Sequence, residues 1–148
     1  MDFTERYPEL AKLYRRALVW GSRALRGIDP DKVVFSCFKG RQYGDSPRCI
    51  SERLHARYPK AKIVWLFNTY NSKHLPENLP DYVKPLYIIS KEAFRELGTA
   101  RVWVDNFTKY NQLRKAKGRQ FYVQTWHGDR AIKKICYDIG LEDERRNT

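Results

Sequence analysis

The residues best suited to chemistry stand together at Gln124-Thr125-Trp126-His127-Gly128. They continue the apolar run Arg119-Gln120-Phe121-Tyr122-Val123 and precede a segment that reads as a helix from near Asp129. A histidine at such a strand–helix junction sits where a helix N-terminus offers free N–H groups and partial positive charge to a phosphate. Gly128 would let a ligand come close to the backbone. A neutral imidazole, with an ordinary pKa near ~6.5, can take a proton from a hydroxyl near neutral pH. The same histidine could equally do no more than cap the helix or bond a nearby carbonyl, since one histidine is weak evidence of a site.

A second polar, glycine-containing stretch is Phe38-Lys39-Gly40-Arg41-Gln42-Tyr43-Gly44-Asp45. It lacks the Lys-Ser/Thr ending of a P-loop and the spacing of a dinucleotide fingerprint. Ser46-Pro47 follows, with serine expected as N-cap and proline at the first helical position. The stretch could cradle an anion at that helix start or be an ordinary strand-to-helix turn.

The elements that must position these segments alternate. Residues 4–28 read as one helix, with Tyr7, Leu10, Ala11, Tyr14, Ala17, Leu18, Ala24, Leu25 and Ile28 on an apolar stripe. Arg6, Lys12, Arg15, Arg16, Arg23 and Arg26 surround that stripe, and Gly27 and Pro30 are expected to end the helix. A basic amphipathic helix can lie on an anionic membrane, or its stripe can pack on the domain's own core. Lys32-Val33-Val34-Phe35-Ser36-Cys37 and Lys62-Ile63-Val64-Trp65-Leu66-Phe67 are nearly continuous apolar runs, the mark of strands buried on both faces. A helix to about Arg57, stopped by Pro59, lies between them. A short strand is expected within 82–89. Then come a helix capped by Ser90 with Gly98 as its C-cap, a strand over 101–105 and another over 119–125. This order predicts an α/β, three-layer domain with a mainly parallel sheet, whose ligands bind beyond the carboxyl ends of the strands. Both chemical segments fall at such ends and are expected to face one cleft.

Composition bounds the partners. The 148 residues suit one core, and 42% hydrophobic content excludes a disordered chain. A net charge of +12 implies an anionic partner: nucleic acid, acidic lipid headgroups or a phosphate-rich substrate. No basic start with an apolar core opens the chain, and no apolar run approaches the roughly 18 residues that a bilayer span needs. Cys37, Cys49 and Cys136 show no paired spacing and read as reduced thiols, while His55, His74 and His127 are too scattered for a zinc site. Nothing in these residues requires a metal or a cofactor.

Taken together, the segments carry a resemblance. Phe35-Ser36 followed by Gly40, Tyr43, Asp45 and Pro47 resembles the opening motif of the CDP-glycerol glycerophosphotransferase family. Trp65 fits the family's tryptophan in the next strand, and Ala100-Arg101-Val102-Trp103-Val104-Asp105-Asn106 is similar to its strand ending in a polar pair. Gln124-Thr125-Trp126-His127-Gly128 with Lys133 resembles the central tryptophan-histidine-glycine signature, and Tyr137-Asp138-Ile139 matches what commonly follows. The resemblance runs in order over residues 33–139.

What the resemblance implies is the N-terminal half of a GT-B-like transferase of two Rossmann-like halves. Such enzymes move glycerol phosphate or a related polyol phosphate from a CDP-linked donor to a hydroxyl of a membrane-linked acceptor, releasing CMP. His127 would be the base, and Gly40, Tyr43, Asp45, Ser46, Asn106, Trp126 and Gly128 would serve substrate binding. Arg15, Arg16 and Arg23 would contact an anionic membrane, making the protein cytoplasmic and peripheral on the inner face of the plasma membrane. Residues 1–28 would form the amphipathic helix, 29–140 the acceptor-side domain and 141–148 an exposed tail. The second half, which grips the donor, would come from elsewhere, so this half alone is expected to be inactive. After Gly128 the family usually has threonine and proline, whereas Asp129-Arg130 here puts a negative charge near the expected phosphate site. Two other readings compete. One is a basic binding module for nucleic acid or acidic polymer, suggested by aromatics among basic residues over 109–122. The other is a degenerate transferase remnant.

Overall fold

The computed structural model describes residues 8–68, 75–107 and 113–126. Its elements are α1 (Pro8–Arg26), β1 (Asp29–Ser36), a short 3-10 turn (Phe38–Gly40), α2 (Asp45–Arg57), β2 (Lys62–Phe67), β3 (Val83–Tyr87), α3 (Lys91–Thr99), β4 (Ala100–Asp105) and β5 (Phe121–Gln124). The five strands form one sheet in the order β3-β2-β1-β4-β5, and all four pairings are parallel. The expected α/β class and parallel sheet are therefore present.

Alternate residues of the central strands feed two cores, as the strand period of two requires. Val34, Val64, Leu66 and Trp103 pack with Val19 of α1 and Ala93, Phe94 and Leu97 of α3 on one face. Val33, Phe35, Ile63, Trp65, Phe67 and Val104 pack with Tyr43 and with Leu54 of α2 on the other. These are the three layers.

Several boundaries differ from the sequence expectation. Gly27 does end α1: its φ is +74° and its N–H bonds the Arg23 carbonyl at 2.9 Å. Pro30 does not act as a breaker but lies inside β1, whose first residues are exposed and where a missing N–H is tolerated. Gly98 is not a C-cap. It lies within α3, at the contact with α1, where an added β-carbon would collide with Ser22 Oγ and the Val19 carbonyl. Ser90 does cap α3, its side chain accepting the Ala93 N–H at 3.1 Å. Ser46 is not the cap of α2. Gly44 holds that place, in extended backbone, and Asp45 is the first helical residue.

The stripe expected on α1 is divided between two faces. Its Ala11 is buried and its Leu18 partly so, while Val19 and Ser22, which lie outside the stripe, pack against α3. Leu10, Leu13, Tyr14, Trp20 and Leu25 face outward, Trp20 being 69% and Leu25 87% exposed. Among the described residues, no helix is long and apolar enough to cross a membrane.

Candidate functional site

The sheet order dictates where a ligand can sit. From β1 the chain moves outward through β2 and β3, then returns to lay β4 on the other side of β1. Between the carboxyl ends of β1 and β4 the connections diverge, which opens the crevice where α/β sheets bind ligands. The loop leaving β1 and the Asp105-Asn106 pair leaving β4 flank this point.

The β1 loop turns sharply through left-handed backbone. Phe38 and Lys39 have φ of 45° and 60°, Gly40 follows at 82°, and Asp45 returns to 55°. Trp126, beyond β5, is the remaining non-glycine residue with positive φ, at 59°. All four non-glycine cases among the described residues thus stand past the carboxyl ends of strands. Such conformations cost of the order of 1–3 kcal/mol each and collect at functional sites. Gly40 is required for a second reason, because a β-carbon there would meet Asn68 N at 2.7 Å and the Leu66 carbonyl at 2.9 Å. The Gly40 carbonyl accepts the Asn68 N–H at 2.6 Å, pinning the loop to the end of β2.

The expected site residues divide by exposure. Asp45 and Ser46 are exposed, while Gly40 is buried against the end of β2. Tyr43 is buried, its ring edge-on to Trp65 with centroids 4.6 Å apart. Burial pushes its phenol up to about 12, and Arg48 lies over its outer face at 5.3 Å. Asn106 is fully buried. Its Oδ1 accepts the Phe38 N–H at 2.8 Å, and its Nδ2 donates to Asp45 Oδ2 at 2.7 Å. Trp126 is half-exposed and its N–H bonds Gln124 Oε1 at 3.2 Å. His127 and Gly128 lie outside the described residues. The β1 loop and Trp126 leave the same edge of the sheet, and the cleft that His127 is expected to share with the β1 loop lies outside the described residues.

Three further features border the crevice, of which the first was not singled out from sequence. Lys39 and Arg41 are exposed on the β1 loop, bringing positive charge to the crevice, and Lys39 Nζ stands 4.5 Å from the Phe107 ring centroid. The Lys39-Gly40-Arg41 run could have pointed to them. Asp105 is a fully buried carboxylate at the end of β4. Its backbone carbonyl accepts the Thr125 N–H at 2.9 Å, joining the ends of β4 and β5. Burial, then the nearby Asp105 carboxylate, push the Tyr122 phenol up to about 12. Cys37 is buried behind the loop with its thiol pushed up to about 11, chiefly by burial, so it stays protonated and unreactive near neutral pH.

Of the arginines expected at a membrane, Arg15 stacks over Phe94 at 5.8 Å and Arg23 donates to the Arg114 carbonyl at 2.9 Å. Arg16 is exposed beside the outward apolar face of α1.

The arrangement is a strained, cationic loop and a helix start at the switch point of a parallel sheet, suited to a phosphorylated ligand. Comparison with known proteins agrees in kind. The chain is 30% identical over 112 residues to a teichoic acid poly(glycerol phosphate) polymerase of Staphylococcus epidermidis, covering 76% of this chain and 15% of that protein. It is 32% identical over 108 residues to a teichoic acid glycerol-phosphate transferase of Staphylococcus aureus, covering 72% of this chain and 26% of that one. The chain thus spans at most about a quarter of these curated relatives. Among solved structures, a histidine-to-asparagine variant of the wall teichoic acid polymerase TagF superposes with a TM-score of 0.75 at 26% identity, over 96% of this chain and 35% of that one. The same kind of variant soaked with CDPG gives 0.70 at 27% identity, over 96% and 36%. The family model for CDP-glycerol:poly(glycerophosphate) glycerophosphotransferases matches residues 19–148, and the chain belongs to that family.

Proposed function

We propose that this chain is the acceptor-side, N-terminal half of a GT-B-type polyol-phosphate transferase that acts in the synthesis of a teichoic-acid-like polymer. The observation that carries this reading is the span of the family match, 19–148, which takes in both loops at the carboxyl edge of the sheet. The donor is CDP-glycerol or a related CDP-linked polyol, and the acceptor is a hydroxyl on a membrane-linked chain. His127 removes the proton of that hydroxyl. The freed oxygen attacks the donor's β-phosphorus in line, a new O–P bond forms, the bond to the bridging oxygen breaks, and CMP leaves with that oxygen.

In this reading Asp45, Ser46, Trp126 and Gly128 form the wall that the substrate meets, with Gly40, Tyr43 and Asn106 behind it. Lys39 and Arg41 offset the charge of the phosphates. The nucleotide is held by a second half of the protein or a partner chain. The outward face of α1 rests on the anionic inner surface of the plasma membrane, with Leu10, Leu13, Tyr14, Trp20 and Leu25 toward the lipid and Arg16 among the headgroups. The protein then works from the cytoplasmic side as a peripheral membrane enzyme.

The deciding experiment measures CMP release by a two-domain enzyme carrying this half, with circular dichroism as a folding control. His127→Ala should lower the rate by about 10²–10⁴-fold, the usual contribution of a general base. A folded variant that releases CMP at the wild-type rate would remove His127 from the mechanism.

A further inference from the structure

We propose that Asn106 is a positioning residue: it clamps both ends of the β1 loop and acts on transfer through that loop without touching substrate. This rests on the transferase reading for its consequence, but the clamp itself stands on contacts within the fold.

The loop between Cys37 and Asp45 has two places where the backbone is forced into left-handed conformation, Phe38-Lys39 at its start and Asp45 at its end. Left alone, non-glycine residues leave such conformations. One side chain grips both places. Asn106 Oδ1 accepts the Phe38 N–H at 2.8 Å, and Asn106 Nδ2 donates to Asp45 Oδ2 at 2.7 Å, with Cys37 Sγ 3.4 Å from the same nitrogen. Asn106 directly follows β4, the strand beside β1, so the grip is anchored at the end of a central strand. Its side chain is fully buried, which keeps it from a ligand in the crevice.

The chemistry of the two partners selects the amide. Phe38 offers a donor and Asp45 offers an acceptor, so the residue between them must both accept and donate. A carboxylate at 106 could take the Phe38 N–H but would face the Asp45 carboxylate with no proton to share. An apolar residue would remove both bonds and leave the part-buried Phe38 N–H without this acceptor. Reversing the pair, with the amide at 45 and the carboxylate at 106, keeps the bond from the Phe38 N–H and the bond across to residue 45, and gives up only the amide's contact with Cys37 Sγ.

Three variants test this in the full chain: Asn106→Asp, the reversed pair Asp45→Asn with Asn106→Asp, and Asp45→Ala, which removes the acceptor at an exposed position. Amide hydrogen exchange over residues 38–45 reads the clamp whether or not the chain is a transferase. Asn106→Asp and Asp45→Ala should each raise exchange there by tenfold or more, and the reversed pair should restore protection. CMP release by the two-domain enzyme reads the consequence. Asn106→Asp should lose most of its rate, and the reversed pair should recover to the rate of Asp45→Asn alone, the reference that accounts for Asp45 facing the substrate. Unchanged exchange in Asp45→Ala, failure of the reversed pair to restore protection, or restored protection with no recovery of transfer toward the Asp45→Asn rate would each overturn the proposal. If the enzyme shows no transfer even as wild type, the transferase reading fails while the exchange results still judge the clamp.

Discussion

Gly98 of α3 lies directly against Ser22 of α1, with no room for a β-carbon between them. Ser22 completes the contact by bonding its own helix, its Oγ donating to the Leu18 carbonyl at 2.6 Å. Gly98→Ala should therefore push the helices apart, at a cost of about 1–3 kcal/mol for an overpacked interface. Thermal melting should show a fall of several degrees, and an unchanged midpoint would show that α1 moves freely on the sheet.

Gly40→Ala faces both a positive φ and a backbone wall formed by Leu66 and Asn68. The expected loss is again about 1–3 kcal/mol of stability. Because the loop borders the switch point, transfer by the two-domain enzyme should fall by more than the loss of folded protein explains. Activity corrected for folded fraction checks this, and a corrected rate equal to wild type would separate the loop from the chemistry.

Glu96 lies between Lys32, at 2.6 Å, and Lys84, at 3.0 Å. Burial alone would raise its pKa, but the hydrogen bonds and charges of the two lysines outweigh burial and hold it below the ordinary 4.5. A depressed folded pKa means that the unfolded chain binds the proton first as pH falls. The stabilisation is thus fully present above about pH 4.5 and disappears as pH drops through the lower, folded value. Glu96→Gln should cost about 1–3 kcal/mol near neutral pH, since both partners keep some contact with water. Denaturant melts from pH 7 to pH 3 should show the two proteins converging at the acid end. A constant gap across that range would be inconsistent with this assignment.

The outward face of α1 makes a prediction for membranes. Trp20→Glu with Leu25→Glu should weaken sedimentation with anionic vesicles by about tenfold or more, since burying a side chain of this size is worth about 1.5–3 kcal/mol. Arg16→Glu should weaken binding to acidic vesicles and leave binding to neutral ones little changed, each basic residue near such a surface being worth about 1 kcal/mol. Equal binding of the wild type to neutral and acidic vesicles would count against the electrostatic part.

The sequence is legible where a signal is local. The β1 and β2 runs were legible because strands buried on both faces need apolar residues at every position, and so was the cap at Ser90, whose partner lies three residues on. Gly98 was misread because a glycine after Leu97 looks the same to the neighbouring chain whether it ends a helix or admits another one. The divided face of α1 has the same origin: the stripe shows which residues are apolar, and only the position of α3 decides which of them are covered. At the site, Gly40, Asp45 and Asn106 were recognisable as a set through their family resemblance. That Asn106 holds Asp45 was not, because they are 61 positions apart and meet only once β4 lies beside β1.

The wholly parallel sheet also governs how the chain reaches this state. No strand can pair with the next through a tight turn, since each neighbour must run in the same direction. Along the chain α2 separates the central strand β1 from β2, and β4, the partner of its other edge, follows only after β2, β3 and α3, so Val102 is made well after Val33. Until then one of the most apolar edges in the chain is open to other strands, the situation that slows folding and invites aggregation. Production of this half should be limited by the lifetime of that unpaired edge, and slower translation or a chaperone able to cover β1 should raise the soluble yield more than any substitution at the surface.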